Sequence, residues 1–273
     1  MKNTQGFVPN KDIVVKNSGT SWATTTIMVW VHGNEMAGPL VLENIIAEIE
    51  IVSWKVNFIF ANLKALEQNK RFCDVNMNRH FLPNNDGDTY EQKRVWEILP
   101  YLDESDYLLD CHNTTNATSS IPMIITESPN FGSYIDTPIT ITGFNDIQPW
   151  ASDGYMAYQN KVWICFESGN LTDAQWPIRV KNAILNSLKA TQNIVWEPEI
   201  YKNTQYHFDT NYITQTNDFQ LVKEFWDFEA VKTWQLLGID WNIPVYARYD
   251  WVLLFSHNRD QVWSEGFCMG ASK

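Results

Sequence analysis

The sequence predicts an α/β fold, a mostly parallel mixed sheet flanked by helices, followed by a small C-terminal all-β domain. Two observations carry this expectation. Up to about residue 193, short apolar runs rich in β-branched residues alternate with helix-length stretches, the pattern of crossover units joining parallel strands. After Pro198 no helical stretch recurs, and short aromatic runs follow one another, some separated by turn-like breaks such as Gly238-Ile239-Asp240. The chain therefore divides into residues 1–193 and 194–273.

The first expected strand, 24–31, is uncharged and β-branched, as befits a strand covered on both faces. A helix is expected over 38–50, a strand over 56–61 and a second helix over 89–99. Strands follow at 107–110, 121–126 and 161–166. The last helix, 173–191, repeats Val180, Ile184 and Leu188 at four-residue spacing, with Asp173 placed to cap its start. Beyond it, strands are expected at 206–214, 219–228, 231–237, 243–249 and 251–255.

A formal net charge of −12 argues against nucleic acid and anionic membrane as partners, because the long-range field repels phosphate. A small anionic substrate remains compatible if arginines are concentrated in its pocket. No stretch is long and apolar enough to span a bilayer, and residues 1–6 carry no apolar targeting segment. Cys111 and Cys165 lie inside apolar runs and read as reduced, buried thiols, so a cytoplasmic location is expected.

The chemistry concentrates where the strands stop. Strand 24–31 runs into His32-Gly33-Asn34-Glu35, strand 56–61 into Asn62, strand 107–110 into Asp110-Cys111-His112, and strand 161–166 into Glu167. In open α/β sheets ligands bind beyond the carboxyl ends of the strands, so these residues are expected on one rim. His32 and Glu35 form an incomplete zinc-type ligand set that His112 completes. Asp110, two residues before His112, is placed to fix its tautomer. Two histidines and one glutamate leave a coordination position for water, the catalytic pattern. Glu167 is the candidate general base for that water. The loop 70–79 gathers cations and amides: Arg71 is able to polarise a carbonyl, and Arg79 with Asn78 to bind a carboxylate. Without the ligand set, a solvated basic loop is the plainer reading of that stretch.

This ordered set of motifs resembles the aspartoacylase and succinylglutamate desuccinylase family, zinc hydrolases related to the metallocarboxypeptidases. The resemblance runs through His32-Gly33-Asn34-Glu35, Asn62-Leu63-Lys64-Ala65-Leu66, Arg71, Asn78-Arg79-His80-Phe81, Asp110-Cys111-His112-Asn113-Thr114-Thr115 and Glu167-Ser168-Gly169. It implies a zinc-carboxypeptidase-like fold with a β domain covering the cleft and one zinc ion per chain held by His32, Glu35 and His112. It further implies Glu167 as base and acid, Arg71 as the carbonyl-polarising residue, and Asn78 with Arg79 as carboxylate binders. The implied reaction is hydrolysis of the amide bond of a small, anionic N-acyl amino acid. Alternatives are a metallocarboxypeptidase-type peptidase or esterase, and a non-catalytic zinc or ligand-binding relative.

Two departures bear on specificity. The further arginine that aspartoacylase-like enzymes place before the catalytic glutamate is absent, since Lys161 is the one basic residue between His112 and Glu167. After Tyr249 no tyrosine follows, and Trp263 is the nearest aromatic. The many tryptophans suggest a more apolar acyl pocket or otherwise serve the core and a subunit interface, which is compatible with a homo-oligomer.

Overall fold

Eleven strands pair into one mixed sheet in the order β1-β3-β2-β4-β7-β5-β6-β8-β14-β13-β10, with β1 at Ile13–Asn17 and β5 at Met123–Ile125, in a computed structural model that describes residues 11–19, 23–84, 86–114, 116 and 118–273. Two short helices, α4 (Pro129–Gly132) and α5 (Ser152–Tyr158), lie in the connections between β5 and β7. Residues 1–6 of the targeting argument and Thr115 of the motif set lie outside the described residues. The central strands are β2 (Thr24–Val29), β3 (Lys55–Phe60), β4 (Tyr107–Thr114) and β7 (Val162–Asn170). β3 and β4 flank β2 in parallel, and β7 runs parallel to β4. Alternate residues of β2 face opposite sides. Met28 packs among Val95, Ile98 and Leu102 of helix α3 (Tyr90–Asp103). Ile27 and Val29 pack with Leu42 of α1 (Ala37–Glu48) and with Val180 and Ile184 of α6 (Trp176–Ala190). A strand buried on both faces must be apolar throughout, which is why these runs are legible in the sequence. The α/β expectation is borne out.

Boundaries moved where chemistry intervenes. β2 stops at Val29 because Trp30 turns into the left-handed region, φ 65°. β4 and β7 run further than expected, so His112 and Glu167 lie within strands that pair side by side, not beyond their ends. Asp173 does not cap α6: it accepts the Gln175 N–H at 2.9 Å and pairs with Arg179, while Gln175 occupies the cap position without a side-chain bond.

The region after residue 194 contributes to both sheets. β8 (Thr204–Ile213), β14 (Glu265–Ser272), β13 (Trp251–Leu254) and β10 (Ala230–Val231) extend the main sheet. β8 joins it through the short β6 (Ile139–Thr142), to which it is parallel. A separate small sheet holds β9 (Phe219–Leu221), β11 (Leu236–Asp240) and β12 (Ile243–Tyr246). Phe219, Phe225, Leu237, Leu253 and Phe267 form a core of their own between the two. Of the expected strand 219–228 only the first three residues form a strand. Among the described residues no helix is long and apolar enough to cross a membrane.

Candidate metal centre and active-site cleft

His32 sits in the turn that follows β2, and its carbonyl accepts the Glu35 N–H at 3.1 Å. Gly33 is required here by close approach: a Cβ would fall 2.3 Å from the Ala65 and Leu66 backbone at helix α2 (Leu63–Glu67). Asn62 is buried and caps that helix, accepting the Ala65 N–H at 3.2 Å. It therefore positions the turn from behind.

His32, Glu35 and His112 are all buried, and their ligand atoms lie within 4.8 Å of one another. Glu35 divides its carboxylate between the imidazoles, with His32 Nδ1 at 2.6 Å from Oε1 and His112 Nδ1 at 2.9 Å from Oε2. The opposite nitrogens have partners of their own. His32 Nε2 lies 3.1 Å from Asn76 Oδ1, an oxygen that also accepts the Asn78 N–H at 3.1 Å. His112 Nε2 lies 3.1 Å from Asp110 Oδ2, an ion-pair contact without the alignment of a hydrogen bond. In the tautomer that turns both Nε2–H groups outward, two Nδ1 lone pairs would face the oxygens of one buried carboxylate. Lone pair against carboxylate is repulsive unless a proton or a cation lies between them, so this donor set fits a divalent metal.

The electrostatics agree. Burial lowers the His32 pKa to about 4, favouring the neutral, ligating form. For Glu35, burial acts to raise the pKa, but the two imidazoles outweigh it and hold the carboxyl well below its usual range. For His112, burial acts downward, and the carboxylates of Asp110 and Glu35 overcome it, so its proton is held well above the usual range. These groups compete for a positive charge at one point.

Register fixes the next residue. His112 of β4 pairs with Glu167 of β7, so the two stand side by side on parallel strands. Burial pushes the Glu167 carboxyl up to about 7, opposed by His112 and reinforced by Glu35. A carboxyl poised there is suited to exchanging protons near neutral pH.

These residues open onto a cavity of about 1050 Å³ that Arg71 and Arg79 also line. Arg71 is half-exposed and reaches Glu35 Oε1 with Nη1 at 3.0 Å. Arg79 enters with a carboxylate already in place, its Nη2 lying 3.1 and 3.0 Å from the two oxygens of Glu265. Its Nη1 donates to the Asn78 carbonyl at 2.8 Å. Asn78 is nearly buried, and its Oδ1 accepts the Ser152 N–H at 3.1 Å. Asp110 is buried and also accepts from the Ser152 hydroxyl. All eight residues singled out in the sequence thus border or support one cleft.

Three supporting residues escaped sequence reasoning. Asn76 orients His32 as described. Asp153, buried on the cleft wall, is pushed up to about 6 by burial and by Asp110. Glu91, fully buried, accepts the backbone N–H groups of Cys73, Asp74 and Val75 at 2.6, 3.0 and 3.2 Å. It anchors the loop that delivers Asn76 through Arg79. The capping box Thr89/Gln92 at the start of α3 was the one sequence signal pointing to that spot. Replacing Glu91 with alanine is expected to cost about 2 kcal/mol of stability, because donors lose their acceptor in a half-buried place. Urea denaturation measures this, and an unchanged midpoint would contradict it.

Comparison with known proteins bears out the resemblance drawn from the motifs. Residues 22–135 match the model of the succinylglutamate desuccinylase/aspartoacylase catalytic domain. An N-acyl-aromatic-L-amino acid amidohydrolase (carboxylate-forming) of Xenopus laevis is 27% identical over 117 residues, covering 38% of this chain and 38% of the relative. The Xenopus tropicalis protein of the same name is 31% identical over 98 residues, covering 31% and 32%. The chain thus matches little more than a third of the length of these curated relatives. Among solved structures, a succinylglutamate desuccinylase from Vibrio parahaemolyticus superposes with a TM-score of 0.77 at 16% identity, over 96% of this chain and 86% of that one. A succinylglutamate desuccinylase/aspartoacylase from Rhodobacter sphaeroides gives 0.71 at 17% identity, over 96% and 89%. At these identities the structures establish the shared fold.

Proposed function

We propose that this relative of the succinylglutamate desuccinylases and aspartoacylases is a zinc-dependent hydrolase cleaving the amide bond of small N-acyl amino acids. The observation that carries the reading is the meeting of two imidazole Nδ1 atoms on one buried carboxylate, next to Glu167, whose carboxyl is pushed up to about 7 by burial. His32, Glu35 and His112 would hold one zinc ion per chain. When bound, that ion supplies a Lewis acid adjoining Glu167.

The chain's own groups do the rest. Glu167, as carboxylate, takes a proton from the attacking water and returns it to the leaving amine nitrogen. Arg71 donates to the acyl oxygen as negative charge develops there. Asn78 and Arg79 orient the substrate carboxylate. Asp110 and Asn76 keep the two Nε2–H groups turned outward, so that both Nδ1 atoms face inward. In this reading residues 1–193 are the catalytic domain and 194–273 the cap that bounds the cleft, in a cytoplasmic enzyme. Phe255, Trp263 and Glu265 of that region line the cavity, which favours a small N-acyl amino acid over a long peptide.

A substrate panel tests the reading. N-acyl amino acids are expected to be hydrolysed faster than tripeptides, and the reverse order would assign the chain to the peptidases. The pH profile follows from the base. Glu167 acts deprotonated, so kcat/KM is expected to rise with pH along its acid limb, with a midpoint at or somewhat below 7 because a bound dication favours the carboxylate. In Glu167→Gln that limb is expected to disappear from the residual activity, and an unaltered limb would point to another group.

A further inference from the structure

Tryptophan and glycine occur in nearly equal numbers in this chain, 13 and 12, although glycine alone ordinarily makes up about 7% of a protein. The imbalance has a counterpart in the backbone. Ten described non-glycine residues have positive φ, and half of them are tryptophan: Trp30 (65°), Trp54 (67°), Trp234 (68°), Trp241 (57°) and Trp263 (59°). A bulky side chain is an outlier there, because the left-handed conformation drives Cβ against the following carbonyl oxygen, and glycine is the default.

Three of the five stand where local hydrogen bonds define a motif that calls for glycine. The Lys232 carbonyl accepts the Gln235 N–H at 2.8 Å, closing a β-turn with Thr233 and Trp234 at its centre. Negative φ at Thr233 and positive φ at Trp234 make this the type II arrangement, which takes glycine or asparagine at that third position. Asp240 pairs with Ile243 across β11 and β12, which leaves Trp241-Asn242 as a two-residue hairpin loop. Positive φ at Trp241 followed by negative φ at Asn242 is the II′ turn, with glycine at its first central position. The third motif is a bulge. Trp263 donates its N–H to the Thr214 carbonyl at 3.0 Å, and Thr214 donates its own to the Ser264 carbonyl at 2.9 Å. Two residues thus oppose one, and where the first of them is left-handed that residue is glycine.

At these three positions the indole returns little packing for the strain, since Trp234, Trp241 and Trp263 are 79, 65 and 75% exposed. Trp30 and Trp54 differ. Trp30 is fully buried, with its ring 5.9 Å from that of Phe60, and Trp54 is half-buried. Packing supports a large side chain there, so neither carries the inference. What the other three share is one residue type standing where another belongs, in three unrelated turns. A common cause of that kind lies in the reading of one codon.

We infer that positions 234, 241 and 263 are glycine in the protein as its source makes it, encoded by UGA, a triplet that some variant genetic codes read as tryptophan and others as glycine. The same reassignment acts on the tryptophan excess and the glycine shortage together. It also reaches the cleft: Trp263 lines the cavity, so at that point the wall is backbone alone and the cavity is wider and less apolar than the tryptophan form suggests. Sequencing the gene, with peptide mass mapping of the protein isolated from its source, tests codon and residue together. UGA at all three codons and glycine in all three peptides are expected. UGG at any of the three, or tryptophan in any of the peptides, would overturn the inference. The physical premise is tested on recombinant chains. The triple variant Trp234→Gly, Trp241→Gly, Trp263→Gly is expected to melt about 5 °C or more above the tryptophan form. The matching alanine variant loses the same indoles but keeps a Cβ, and is expected to gain much less. A glycine variant that melts no higher, or an alanine variant that gains as much, would equally overturn it.

Discussion

Replacing Glu167 with glutamine is expected to lower kcat for N-acyl amino acid hydrolysis by about 10²- to 10⁴-fold, the usual worth of a positioned general base. The change is nearly isosteric and touches no ligand atom. Glu167 is held by strand register beside His112, so neither the fold nor the metal content is expected to move. KM should stay within a few-fold, because the proton transfer is made in the transition state and not in the ground state. Steady-state kinetics with metal analysis of the same preparation reads all three quantities. Full activity in Glu167→Gln with full metal content would remove Glu167 from the role of base. A loss of activity together with loss of metal would instead place it among the groups that build the centre.

The second large effect concerns the ligand set. His112→Ala is expected to reduce bound metal from one equivalent to near zero and activity to background. Two of the three donor groups would remain, and Glu35 would keep the contacts with His32 and Arg71 described above. Outer partners are worth less. Asp110→Ala and Asn76→Ala are each expected to weaken metal binding about 10- to 100-fold, since each frees an imidazole to rotate or change tautomer. Competition with a chelator measures these affinities. Metal binding in His112→Ala as tight as in wild type would place the metal elsewhere.

Much of this site was legible because its residues interrupt strongly patterned strands. His32, His112 and Glu167 stand out against β2, β4 and β7, whose burial on both faces demands apolar residues. The helix face of Val180, Ile184 and Leu188 was readable for the same reason, and all three are fully buried. What stayed hidden depends on distant partners. β14 (Glu265–Ser272) is built around Gly266, Cys268, Gly270 and Ala271, small residues without β-propensity, and it forms because β8 and β13 flank it. The edge strand β1 (Ile13–Asn17) is defined by its antiparallel pairing with β3. The expected strand 219–228 breaks because Phe225 turns into the C-terminal core and Phe228 adopts φ 64°. Glu91 and Asp153 lie within helices, where a carboxylate reads as ordinary surface until tertiary structure buries it. Arg259 lines the cleft from the C-terminal region, far beyond Glu167 in sequence, a distance over which no local pattern speaks.

The most direct test is to strip the purified chain with a chelator and titrate zinc back while following hydrolysis of an N-acyl amino acid. Activity is expected to vanish on stripping and to rise in proportion to added zinc until one equivalent per chain, with no recovery in His112→Ala. Hydrolysis that survives complete removal of metal, or that returns equally in His112→Ala, would contradict the assignment of His32, Glu35 and His112 as a catalytic metal centre.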